Sequence, residues 1–144
     1  MRNIVLVDSR FLIALFDAKD SLHDSAKAAL KALIDREKAR LKTVWPIVVE
    51  TCFFLGPNGK AAFLHWIVRG ALGLRAIEID DIETVIAILD RYAGQHIDLA
   101  DACLIWLAGQ EKTNRVLTTD RRDFSVYRTP DGRPFERVWL ANGA

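Results

Sequence analysis

Residues 3–17 read NIVLVDSRFLIALFD. The run from Asn3 to Val7 is continuous, apolar and β-branched, the pattern of a strand covered on both faces rather than one alternating between core and water. Asp8 and Ser9 follow at once with N-cap chemistry, and FLIALFD then continues as a short helix. A buried strand that ends in an aspartate and passes straight into a helix is the opening unit of a parallel α/β sheet.

The rest of the chain repeats that alternation. Ala26, Ala29, Leu30, Leu33 and Ile34 keep helical spacing, so residues 21–40 are expected to form an amphipathic helix. A strand over 41–44 leads to Trp45-Pro46, and proline suits the first turn of the helix PIVVETCFFLG. Another helix runs from Asn58-Gly59 to Arg69, and residues 74–79 make a third strand. Asp80-Asp81 is expected to cap a helix that presents Ile82, Val85, Ile86 and Leu89 and stops at Gly94. A helix from Asp98 to Glu111, a strand over 115–118, a polar turn TDRRDF, a Pro130-Asp131-Gly132 turn and an edge strand FERVWL complete the chain. Residues 1–144 are read as one domain, with a mostly parallel sheet of about five strands and helices on both faces.

With 144 residues, 51 % hydrophobic and 27 % charged, the composition is that of an ordinary globular protein. The 20 basic and 19 acidic side chains leave a net charge of +1, so a nucleic-acid partner would need a local basic rim. Cys52 and Cys103 lack metal-type spacing and read as free thiols of a reducing compartment. The first apolar run is too short for a signal peptide, and no stretch approaches the ~20 apolar residues of a membrane helix. The expectation is a cytoplasmic protein with no membrane partner.

Chemistry concentrates in acids. Open parallel sheets carry their sites at the carboxyl ends of the strands, where Asp8 and Asp120 stand. Glu50 lies inside PIVVETCFFL and Asp101 inside LADACLIWLA, settings where a carboxylate is costly unless it is paired or binds a metal. Asp98 shares a helical face with Asp101, about 5–6 Å away. Each acid alone also fits a plainer role. Asp8 and Asp98 are good caps, Asp120 suits a turn, and Glu50 or Asp101 fits an arginine pair. Taken as a set they have no matching bases in the apolar parts of their segments. Two carboxylates ~4 Å apart repel by about 4 kcal/mol at an effective dielectric of 20, so convergence demands protons or a cation. Oxygen-only ligands favour Mg²⁺ or Mn²⁺, and such a centre suits phosphodiester hydrolysis. His23, His65 and His96 have no paired ligand spacing, and GxGxxG, P-loop and GxSxG motifs are absent.

VLVDSRFLIALFD, VVETCFFL, IDLADACLIWLA and VLTTDRRDFSVYR resemble, in order and spacing, the four acidic motifs of the PIN-domain nucleases, and RPFERVWL resembles their closing strand. The resemblance implies Asp8, Glu50, Asp101 and Asp120 as catalytic, metal-binding acids, with Asp98 as a further ligand and Ser9, Thr118 and Asp123 in support. Arg10, Arg121 and Arg122, which flank strand-end acids, are the expected substrate contacts. Length and compactness look most like the VapC-type toxin ribonucleases of bacterial toxin–antitoxin pairs. That likeness implies RNA as substrate, Mg²⁺ (or Mn²⁺) as cofactor, a homodimer, and a cognate antitoxin that covers the acids. Arg10 departs from the family, which often has a small residue there. The alternatives are a catalytically weak PIN-like module that binds RNA or protein, a receiver domain, and a dehalogenase-like phosphohydrolase. The last two lack their required patterns, because Ser9-Arg10 follows Asp8 and no lysine follows the fourth strand. Finally, Phe53, Phe54, Leu55, Phe63, Leu64, Trp66 and Ile67 are more apolar bulk than one small face buries. Part of this group is expected to form a contact patch for a second copy or an antitoxin helix.

Overall fold

The opening run forms strand β1 (Ile4–Val7), buried along its whole length in a computed structural model that describes residues 3–139. β1 is the middle strand of five. It pairs in parallel with β2 (Arg40–Thr43) on one side and β4 (Arg115–Leu117) on the other. β3 (Gly73–Leu74) lies outside β2 and β5 (Glu136–Arg137) outside β4, both parallel, so the order is β3-β2-β1-β4-β5. The edge strand expected in FERVWL is β5, while Leu140 falls outside the described residues.

Helices make every crossover. α1 (Ser9–Phe16) and α2 (His23–Asp35) join β1 to β2, and α3 (Trp45–Phe53) and α4 (Pro57–Val68) join β2 to β3. α5 (Ile82–Arg91) and α6 (Leu99–Glu111) return the chain to β4, and α7 (Arg121–Val126) leads to β5. The chain thus walks outward from β1 to β3 and jumps back beside β1. The strand order reverses between β1 and β4, and the carboxyl ends of those two strands frame the crevice that such a switch point leaves. α6 is covered on all sides from Ala102 to Ala108 and packs on β1, α3 and α5, so it is the central pillar of the core.

Local departures from the sequence expectations have identifiable causes. The strand expected over 74–79 has only two paired residues. Arg75 N–H makes the last bond to Thr43 of β2, which then turns into α3 and offers no further backbone. The chain then runs without regular structure over 75–78 to a 3₁₀ turn at Ile79–Asp81, closed by reciprocal Glu78 and Asp81 bonds. α2 ends at Asp35 rather than near 40, because Lys38 adopts a left-handed φ of 55° and Arg40 already lies in β2. α5 is rotated from the expected face. It buries Val85 and Ile88 toward α6 and leaves Ile82 and Ile86 exposed, and it ends at Arg91, before Gly94. The expected polar turn TDRRDF is instead helix α7, nucleated when Asp120 accepts the Asp123 N–H.

The bulky group at 53–67 divides. Leu55 and Phe63 are buried, Trp66 is half-buried against Phe16, and Phe53, Phe54 and Leu64 are exposed. Cys103 is buried, Cys52 is half-buried, and both are free.

Candidate active site

Asp8 leaves the carboxyl end of β1 as the N-cap of α1. Its Oδ1 accepts the Ser9 N–H at 2.8 Å and its Oδ2 accepts the Thr118 hydroxyl at 2.6 Å. Thr118 is fully buried at the end of β4 and also accepts the Asp120 N–H at 3.0 Å. One hydroxyl therefore ties the two strand-end acids together across the switch point. Asp120 caps α7 through the Asp123 N–H at 2.9 Å, and Asp98 caps α6 through the Asp101 N–H at 2.8 Å. Capping thus decides where three of the acids stand. Each cap also turns a helix N-terminus, with its partial positive charge, toward the crevice.

Asp101 sits in the first turn of α6, half-buried, and its Oδ2 accepts the Tyr127 hydroxyl at 3.1 Å. Tyr127 follows α7 with its ring buried against Tyr92 and Phe124. Sequence reasoning passed over this residue because a buried tyrosine in an apolar setting looks like core. The available signal was its hydroxyl, which needs a partner when the ring is buried.

Electrostatics join the acids into one group. Burial pushes Asp8 up to about 6 despite the Thr118 and Ser9 bonds, with the charges of Glu50 and Asp120 adding to the rise. Asp101 is pushed up to about 8, first by burial and then by Asp8 and Asp98, against the Tyr127 bond. Glu50, half-buried on α3, is raised by burial and by Asp98, opposed by the Ser9 hydroxyl and Arg10. Asp123 is raised by burial and by Asp120, and the Tyr127 phenol by burial and by Asp101. Among the described residues none of Asp8, Glu50, Asp98, Asp101, Asp120 or Asp123 is in an ion pair. Carboxylates pushed up without an ion-pair partner favour either protons or a cation.

The closest grouping is Asp101, Asp120 and Asp123, whose oxygens approach within 4.8 Å of one another. Asp123, expected only in support, is thus in the innermost set, while Asp8 acts on Asp101 and Asp120 from beside it and Glu50 couples to Asp8 and Asp98. An all-carboxylate set of this kind suits a hard divalent cation. The arginines separate. Arg10 is exposed on α1 and lines a cavity shared with Glu50, and Arg122 stands by Asp123. Arg121 points elsewhere, into a different cavity with Phe124, Phe135 and Arg137, because the turn of α7 carries it away from its neighbour.

The PIN domain family model matches residues 5–129. Ribonuclease VapC26 of Mycobacterium tuberculosis is 33 % identical over 136 residues, covering 91 % of this chain and 97 % of that protein. Among solved structures, Mycobacterium tuberculosis VapC20, described as a Sarcin-Ricin loop cleaving toxin, superposes with a TM-score of 0.71 at 20 % identity. That match covers 82 % of this chain and 91 % of the other. VapBC2 from Rickettsia felis, bound to a DNA fragment from its promoter, gives a TM-score of 0.66 at 13 % identity, covering 94 % and 98 %. At such identities these two structures speak for the fold alone.

Proposed function

This chain belongs to the PIN domain family, and on that premise we propose that it is a divalent-metal-dependent endoribonuclease, the toxin of a toxin–antitoxin pair. The observation that carries the reading is the unmatched acid set at the switch point: six carboxylates, four of them pushed up, and no ion pair among the described residues.

Asp8, Glu50, Asp101 and Asp120 are assigned as the catalytic and metal-holding acids, with Asp98 and Asp123 as further ligands. When bound, Mg²⁺ or Mn²⁺ supplies neutralisation of the phosphate and a water of lowered pKa. The chain's own part is to hold the oxygens still. Ser9 and Thr118 occupy one lone pair on each Asp8 oxygen, which fixes the carboxylate plane. Tyr127 does the same for Asp101 and stays a proton donor, because its phenol is pushed above its ordinary range. Arg10, which lines the cavity beside Glu50, and Arg122, beside Asp123, are assigned as contacts to phosphates of a single strand. The name of the 33 % identical relative, Ribonuclease VapC26, supports the VapC-type reading, to which an antitoxin partner belongs, and exposed Phe53 and Leu64 support a second copy or the antitoxin on that face. Among the described residues no helix is long and apolar enough to cross a membrane.

The test is cleavage of a mixed RNA pool with Mg²⁺ or Mn²⁺ and with chelator, for the wild type and Asp8→Asn. Metal-dependent cleavage is expected, falling on the order of a thousandfold in the variant. Equal cleavage by the two proteins would remove the assignment. Tight RNA binding without cleavage would leave the weakly active module.

A further inference from the structure

A cavity of about 410 Å³ opens beside the acids, and Ser9 and Glu50 belong to both. Its volume falls in the about 300–1,000 Å³ range of sites that hold small groups. The walls are of two kinds. Ile13, Leu22 and Phe54 supply apolar surface, while Arg10, Asp20 and Thr119 supply polar atoms. Phe54 closes α3 and keeps 66 % of its surface exposed while the next residue, Leu55, is buried. Arg10 is exposed and has no ion pair among the described residues, although Glu50 lines the same cavity.

These walls select what can enter. A phosphate is repelled by Asp20 and Glu50 and has no use for apolar surface. A planar, uncharged ring fits both demands, because every base has a face to stack on an aromatic and an edge for polar side chains. The guanidinium at the rim then suits the phosphate attached to that ring's sugar. We infer, resting on the ribonuclease function proposed above, that this cavity receives one unstacked RNA base next to the scissile phosphate. The base stacks on Phe54 with Arg10 on the adjoining phosphate. The cavity therefore selects the nucleotide beside the cut, and only single-stranded or looped RNA offers such a base.

The experiment uses one short RNA that the enzyme cuts, and a series in which each ribose in turn lacks its base. kcat/KM is measured for the wild type, Phe54→Ala and Phe54→Trp. With the wild type, base removal at one position beside the cut should cost about tenfold to a hundredfold. Phe54→Ala should lose a similar factor on intact RNA and show no further loss on that abasic substrate, and Phe54→Trp should restore the dependence. Phe54 is exposed, so unchanged melting of the alanine variant is expected and checks its fold. A flat abasic profile from an active wild type overturns the inference while leaving the ribonuclease function intact. The inference also falls if Phe54→Ala keeps the wild-type profile and alters only the oligomeric state, which would assign the ring to a protein interface. Failure of the wild type to cut any RNA overturns both.

Discussion

The two ends of α6 carry the same functional group and treat it in opposite ways. At the first turn stand Asp98 and Asp101, facing Asp8, Asp120 and their neighbours, and among the described residues no base pairs with them. About 18 Å along the helix, Glu111 is held by Lys42 and Arg75, each at 2.8 Å. Burial raises Glu111, but those two partners outweigh it and leave the carboxyl below its ordinary value. Asp101 is instead pushed up to about 8. The helix macrodipole alone would order them the other way, since it favours an anion at the N-terminus and disfavours one at the C-terminus. Neighbouring charge therefore decides. At one end the protein neutralises its own carboxylate, and at the other it sets no ion-pair partner among the described residues.

The largest expected effect lies in metal and pH. Asp8 and Asp101 in the folded protein keep protons that the unfolded chain releases near pH 4, because their values rise to about 6 and about 8. Between those limits the native state binds more protons than the unfolded one. Metal-free stability should therefore fall as pH rises from about 4 to about 8 and level off above. Mg²⁺ at a hundred times its Kd should return about 2.7 kcal/mol at pH 8 and much less at pH 5, where it competes with protons. Thermal melts across that range decide, and a flat profile indifferent to metal would break the contrast between the two helix ends.

A sharper version compares single substitutions by urea unfolding in metal-free buffer at pH 8. Glu111→Gln strips Lys42 and Arg75 of their shared counter-charge and should cost about 1–2 kcal/mol, moderated by the partial exposure of both bases. Asp101→Asn removes a like charge, keeps an acceptor for Tyr127, and should cost nothing or stabilise. Losses of equal size at both ends would mean that neighbouring charge does not set them apart.

The smallest effect separates two adjacent residues. Single-stranded RNA binding to Asp8→Asn protein should lose about one unit of salt slope when Arg122 is also replaced by Ala. Replacing Arg121 instead should leave the slope unchanged, since that side chain lines the cavity beside Phe135. Equal slopes in the two double variants would remove Arg122 from the substrate rim.

What the sequence made legible was whatever depends on a residue and its near neighbours. β1 followed from an unbroken β-branched run. Glu50 and Asp101 stood out by the cost of carboxylates in apolar helices and Asp8 and Asp120 by their strand-end positions, while Asp8 and Asp98 were readable as caps. What escaped depends on distant partners. β3 is short because β2 turns away, and α5 is rotated because α6 offers it a particular face. Tyr127 serves Asp101 only because α7 brings the chain back beside α6. α7 itself was within reach, since Asp120 and Asp123 stand at cap-to-N3 spacing, but a six-residue stretch of mostly polar residues carries little periodicity.

The all-round burial of α6 also sets how the site can be switched off. Asp98 and Asp101 belong to a helix whose middle seven residues have no solvent face, so its amides should exchange with solvent only through opening of the whole core. A segment of that kind does not melt by itself, and the carboxylates it carries stay in place for as long as the domain is folded. Silencing the α6 side of this crevice reversibly is therefore a matter of occluding standing carboxylates, with no melting of α6 to exploit.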